Sequence, residues 1–192
     1  MKVIPVTCLY AGELDMLERV HEAIMIHQTN KSAIEFGMAF AQLLETIILG
    51  GSLKEALEKT VTWCISQGHD EVMDACIRSL SEAKMKSLDQ VIEDLASEEL
   101  GGRSNKLPAA FIIPMYIFYK ALGDGDVTEE TYKKALRENI MAGGDTCCRA
   151  VFIGAVLAAC AESVPESWVE KTDKECIKKL KHASKNIFES VG

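Results

Sequence analysis

Apolar residues recur at spacings of three and four along almost the whole chain, and that period admits helices and little else. Between Leu14 and His27 the residues Leu14, Leu17, Val20, Ile24 and Met25 build one apolar face. Asn30 or Ser32 can cap the next helix, which carries Ala33, Phe36, Gly37, Phe40, Ala41, Leu44, Ile47 and Ile48 up to Gly50-Gly51. Ser52-Leu53-Lys54-Glu55 is a capping-box sequence and opens a helix to about Ser66, closed by Gly68. Further helices follow from Asp70 to about Lys84 and from about Ser87 to Ala96.

The segment Gly101 to Lys106 breaks the pattern, and donors in Gly101-Gly102-Arg103-Ser104-Asn105 would suit a diphosphate. Its spacing matches neither a Walker loop nor a dinucleotide fingerprint, so it reads as a plain connecting loop. Leu107 to Tyr119 is too long and apolar for a strand and reads as a buried helix, with Pro108 in its first turn and Pro114 as an interior cost. Thr128-Glu129-Glu130-Thr131 starts a helix that ends at Met141, and a small-residue helix spans about Thr146 to Glu162. Pro165-Glu166-Ser167-Trp168 reads as a turn before a charged amphipathic helix that finishes the chain. The expectation is an all-α fold of about nine helices, forming one domain over residues 1–192.

Composition removes several function classes. A formal net charge of −8 repels a duplex or an anionic bilayer, so neither nucleic acid nor membrane is an expected partner. Ala33 to Leu49, the longest apolar-leaning segment, is interrupted by Glu35, Gln42 and Glu45, and the N-terminus has no signal-peptide pattern. Seven cysteines without a C-x-x-C pair, most of them beside Ala, Ile or Val, point to reduced buried thiols in a cytoplasmic protein. Neither G-x-S-x-G nor H-E-x-x-H occurs. The lysines from Lys171 to Lys185 alternate with Glu170, Asp173 and Glu175, as on a solvated helix face.

The informative stretch runs from Glu138 through Met141-Ala142-Gly143-Gly144-Asp145-Thr146-Cys147-Cys148-Arg149-Ala150 to Ile153-Gly154-Ala155. Two glycines release one helix and turn the chain into the next, at whose N-cap Asp145 falls. A carboxylate and a hydroxyl side by side at such a turn can cap the helix or hold a hard cation through oxygen. Cys147-Cys148 alone is a poor chelate, and Arg149 would reach a phosphate or pair with Asp145 at the surface.

This stretch resembles the C-terminal Gly-Gly-Asp-Thr-Asp-Thr motif of the ADP-ribosylglycohydrolase superfamily, which includes dinitrogenase-reductase-activating glycohydrolases and J1 crystallins. Ile26-His27-Gln28-Thr29-Asn30 ahead of a small-residue helix is similar to the family's central segment, where Thr-His often stands. Leu107-Pro108-Ala109-Ala110 and Thr131-Tyr132-Lys133-Lys134-Ala135-Leu136 fall in the family's order. The resemblance implies an orthogonally packed, all-α multi-helix fold with a cleft that holds two Mg2+ ions, which orient an ADP-ribosyl group and a water for glycosidic cleavage. On that basis Asp145 would be catalytic and, with Thr146, a metal ligand; Gly143, Gly144, His27 and Arg149 would contact an ADP-ribose-type ligand. Two departures alter the expectation. Cys147 and Cys148 stand where the motif has Asp and Thr, and no Thr-Asp-Asp run supplies the opposing ligands. The family's members are also longer at the N-terminal end. The reading is therefore the C-terminal part of such a domain, with a degenerate metal site and no hydrolysis by this chain alone. Its role would be structural or ligand-binding, and an uncovered apolar core face would pair it into a homodimer. The other reading is a magnesium-dependent glycohydrolase completed by an N-terminal segment or a partner chain.

Overall fold

A computed structural model describes residues 2–97, 100–123 and 125–190. Among them are eleven helices and no strand. They are α1 (Val3–Tyr10), α2 (Met16–Met25), α3 (Lys31–Ile48), α4 (Leu53–Gln67), α5 (Asp70–Met85) and α6 (Leu88–Ser97). Then come α7 (Ala109–Gly123), α8 (Glu129–Met141), α9 (Thr146–Ala161), α10 (Glu166–Val169) and α11 (Lys174–Ser190). The sequence reading lacked two of these. α1 contains Val3-Ile4-Pro5-Val6, and Pro5 lies in its first turn, where no intrahelical N–H is needed. α10 is a single turn on the segment expected to be irregular.

Local chemistry sets the boundaries. Asn30, not Ser32, caps α3, its Oδ1 accepting from the Ala33 N–H at 3.1 Å. Ser52 and Glu55 form the capping box at α4, and Thr128 caps α8 with Thr131 answering in the place of the usual Glu. Pro108 does not enter α7. It precedes Ala109, and its carbonyl accepts from the Phe111 and Ile112 N–H groups at 2.9 Å.

α7 organises the core. Ten of its residues from Ala109 to Ala121 are buried, on every side of the helix, so it must be surrounded rather than laid on a surface. α5, α6, α8 and α9 pack against it, while α3 packs on α1, α2, α4 and α9. The consequence for function is geometric. The first turns of α3, α7 and α9 end near one another, although they are far apart in sequence. α11 stands apart, its described side chains exposed except for a half-buried Ile177, as a solvated charged helix should be. The cysteines depart from expectation: all are free, but only Cys64 and Cys76 are buried, and Cys8, Cys147 and Cys176 are exposed.

Candidate functional site

The turn between α8 and α9 is built by close backbone approach. A Cβ on Gly144, whose φ is +70°, would lie 2.0 Å from the Arg103 carbonyl oxygen. Only glycine lets the segment around Arg103 lie against this turn. The Asp145 N–H donates to that same carbonyl at 2.8 Å. The Gly101–Asn105 segment, expected to be a plain connection, is thereby pinned to the Gly143-Gly144-Asp145 turn, and Ser104 and Asn105 join the wall of a cleft.

Asp145 caps α9, its Oδ1 accepting from the Cys148 N–H at 3.3 Å. Hydrogen bonding to Asp145, then burial and the carboxylate's charge, hold the Cys148 thiol above its ordinary range. Arg149 is not the surface residue its type suggested. It is 1 % exposed, because α9 turns it inward beneath the glycine turn. Its Nε donates to Asn139 Oδ1 at 2.9 Å, Nη1 to the Arg103 carbonyl at 3.3 Å, and Nη2 to the Gly143 carbonyl. Burial draws the guanidinium below its ordinary value, and the Asp145 charge opposes that. It remains a cation at neutral pH. Asn139, fully buried, completes the clamp by donating to the Thr146 carbonyl at 2.9 Å.

These groups border a cavity of about 440 Å³. Asp145, Cys148 and Arg149 line it from the start of α9, together with His27, Lys2, and Ser104 and Asn105 of the loop. The rest is apolar. Phe36 and Phe111 meet edge to face at 4.9 Å between centroids, Phe40 and Phe152 at 4.1 Å, and Phe118 and Met115 lie beside them. Lys2 Nζ lies 3.1 Å from His27 Nδ1. Asp145, Arg149 and His27, up to 122 residues apart in the chain numbering, are thus brought to one cavity. Gly143 and Gly144 shape the wall without lining the cavity, and Thr146 and Cys147 are not among its lining residues.

The ADP-ribosylglycohydrolase family profile matches residues 1–191. The chain belongs to the ADP-ribosylglycohydrolase family. An uncharacterized protein of Archaeoglobus fulgidus is 25 % identical over 182 residues, covering 94 % of this chain and 54 % of the relative. Crystallin J1A of Tripedalia cystophora is 23 % identical over 174 residues, covering 90 % of this chain and 48 % of the crystallin. The chain therefore spans about half the length of the curated relatives it matches. No solved structure matches. The all-α fold agrees with the family, and no helix among the described residues is long and apolar enough to cross a membrane.

Magnesium, which the family resemblance implies, takes oxygen ligands in near-octahedral geometry. On this cavity the one carboxylate, Asp145, already accepts from the Cys148 backbone and thiol, and the neighbouring charges are the cations Arg149 and Lys2. Among the described residues no group of three or more His, Cys, Asp or Glu side chains could hold a metal ion. That donor set does not by itself fit a pair of magnesium ions.

Sequence reasoning did not pick out Asn139, Lys2 or the phenylalanine floor. Asn139 carried a weak signal, a polar residue on the inner face of α8 just before the glycines. Lys2 carried none, since its place at the cavity depends on how α1 packs.

Proposed function

We propose that this family member binds an ADP-ribose-type ligand in the cleft and does not hydrolyse it by this chain alone. One observation carries the reading: Asp145, Arg149 and His27 border a single cavity of ligand size, while Asp145 is engaged by Cys148. The aromatic floor is suited to a flat ring and the polar rim to ribose or phosphate oxygens. The setting is cytoplasmic, with the free thiols kept reduced. Calorimetric titration with ADP-ribose, with and without Mg2+, repeated on Asp145→Ala, tests the proposal. Binding insensitive to Mg2+, with no ADP-ribose released from an ADP-ribosylated substrate, is expected. Magnesium-dependent turnover that disappears in Asp145→Ala would overturn it.

The second reading, a magnesium-dependent glycohydrolase completed by further chain or by a partner, is favoured by the length of the relatives, which exceed this chain about twofold. It predicts Mg2+-dependent hydrolysis by a longer form, lost on Asp145→Ala. Self-association is proposed alongside, because Leu14, Ile26 and Met141 leave large apolar side chains in water. Sedimentation equilibrium should then give a dimer, and a strict monomer at high concentration refutes it.

A further inference from the structure

We infer that the cleft selects an organic anion with a flat apolar body and balances its charge with the protein's own cations, without a divalent metal. This rests on reading the cleft as a ligand site, and it specifies what that site recognises.

The first observation is Arg149. A guanidinium that is 1 % exposed normally has a carboxylate against it, because a buried charge without a counter-charge is costly. Here its hydrogen bonds go to an amide oxygen and two backbone carbonyls, all neutral. None of the ion pairs among the described residues includes Arg149. Its counter-charge is left to Asp145 at longer range and to whatever occupies the cavity that it lines.

The second observation is the pair Lys2 and His27 on the same cavity lining. The Lys2 ammonium has only donors, so at 3.1 Å the His27 Nδ1 must accept from it. Lys2 and Arg149 are the cationic side chains of the cavity lining and Asp145 is its single carboxylate, so one added negative charge balances the side-chain charge of the lining. The first turns of α3 and α9, at Ala33 and Asp145, add the positive ends of two helix dipoles. The third observation is the floor, where two edge-to-face phenylalanine pairs offer ring faces and edges and few polar partners. An anion without a body would leave that floor wet, and a neutral ring would leave the cations unanswered. A ligand with both features satisfies both.

The test is titration of the whole chain in EDTA with naphthalene-1-carboxylate and with naphthalene-1-carboxamide, its neutral isostere. The carboxylate is expected to bind about tenfold tighter or more. Lys2→Gln and His27→Gln change exposed side chains, so folding is not at stake. Each should weaken the carboxylate by about threefold or more and leave the carboxamide unmoved. Equal affinity for the two probes, no response to either variant, or no binding of either probe overturns the inference. ADP-ribose in the same titrations separates the two claims. If it binds only when Mg2+ is present, the ligand-site reading stands and metal-free recognition falls. If naphthalene-1-carboxylate binds in EDTA and ADP-ribose binds under neither condition, anion recognition stands and the ADP-ribose assignment falls.

Discussion

Two regions of this molecule bury a charged side chain, and they do so in opposite ways. On the α5 side, Glu82 is 5 % exposed and is answered by cations of its own helix and the residue beyond it: Arg78 Nε at 3.0 Å and Lys86 Nζ at 3.5 Å. Glu35 on α3 pairs with the cation Lys31, Nζ at 3.5 Å, and has His69 Nδ1 at 3.1 Å. On the cleft wall, Arg149 is more deeply buried and receives only neutral acceptors. The charge of each carboxylate is answered within the fold, largely along its own helix, although Glu82 Oε2 keeps no hydrogen-bond partner. The arginine is oriented within the fold but compensated incompletely, beside a cavity. A charge finished by its neighbours is architecture, whereas a charge left open at a cavity wall is chemistry in waiting.

The contrast can be broken by substitution. The largest effect is expected at the turn that creates the cleft wall. Gly144→Ala drives a Cβ into the Arg103 carbonyl at positive φ and should cost about 3 kcal/mol or more. Gly68→Ala, at a similar φ of +69° with nothing within 4 Å, should cost about 1 kcal/mol. Equal shifts in the urea midpoints would show that the Arg103 contact is not the constraint.

Next come the two buried charges themselves. Arg149→Met strands the Asn139 oxygen and two carbonyls, and a loss of about 3 kcal/mol together with ligand binding is expected. Glu82→Leu should cost about 1–2 kcal/mol, since Arg78 and Lys86 still reach water, and should leave binding intact. Binding lost equally in both variants would erase the distinction.

Thiol reactivity sharpens the comparison at smaller scale. A raised pKa means less thiolate at a given pH, so iodoacetamide at pH 8 should modify Cys148 several-fold more slowly than exposed Cys147. Asp145→Asn removes the carboxylate responsible and should speed Cys148 labelling, read by peptide mass spectrometry. On the α5 side, burial pushes Cys64 up to about 11 and Cys76 up to about 12 from an ordinary 9.0. The folded chain then holds protons that the unfolded chain releases above about pH 9, so stability should fall as pH rises from there toward 11 and 12. A urea midpoint flat across that range would contradict the assignment.

Local chemistry was legible in the sequence and convergence was not. Ser52, Thr128 and Asp145 announce helix starts because capping depends on residues three positions apart, and all three cap as expected. The Gly143-Gly144-Asp145 turn could be read for the same reason. α1 could not, because a proline in a first turn and a proline in an extended run look alike in Val3-Ile4-Pro5-Val6. Arg149 was placed at the surface by the ordinary habit of its residue type, and burial beneath a glycine turn is a tertiary fact. The cleft draws Lys2, His27, Asn105, Arg149 and five phenylalanines from α1, α3, α7, α9 and their connections, and no spacing in the chain encodes that meeting.

The most direct measurement follows the side-chain Nε–H signals of Arg149 and Arg78 by nuclear magnetic resonance during titration with ADP-ribose in EDTA. The account predicts a saturable shift of the Arg149 signal while the Arg78 signal, fixed by its pairing with Glu82, stays in place. An Arg149 signal that does not move, or an Arg78 signal that moves as far, would contradict it.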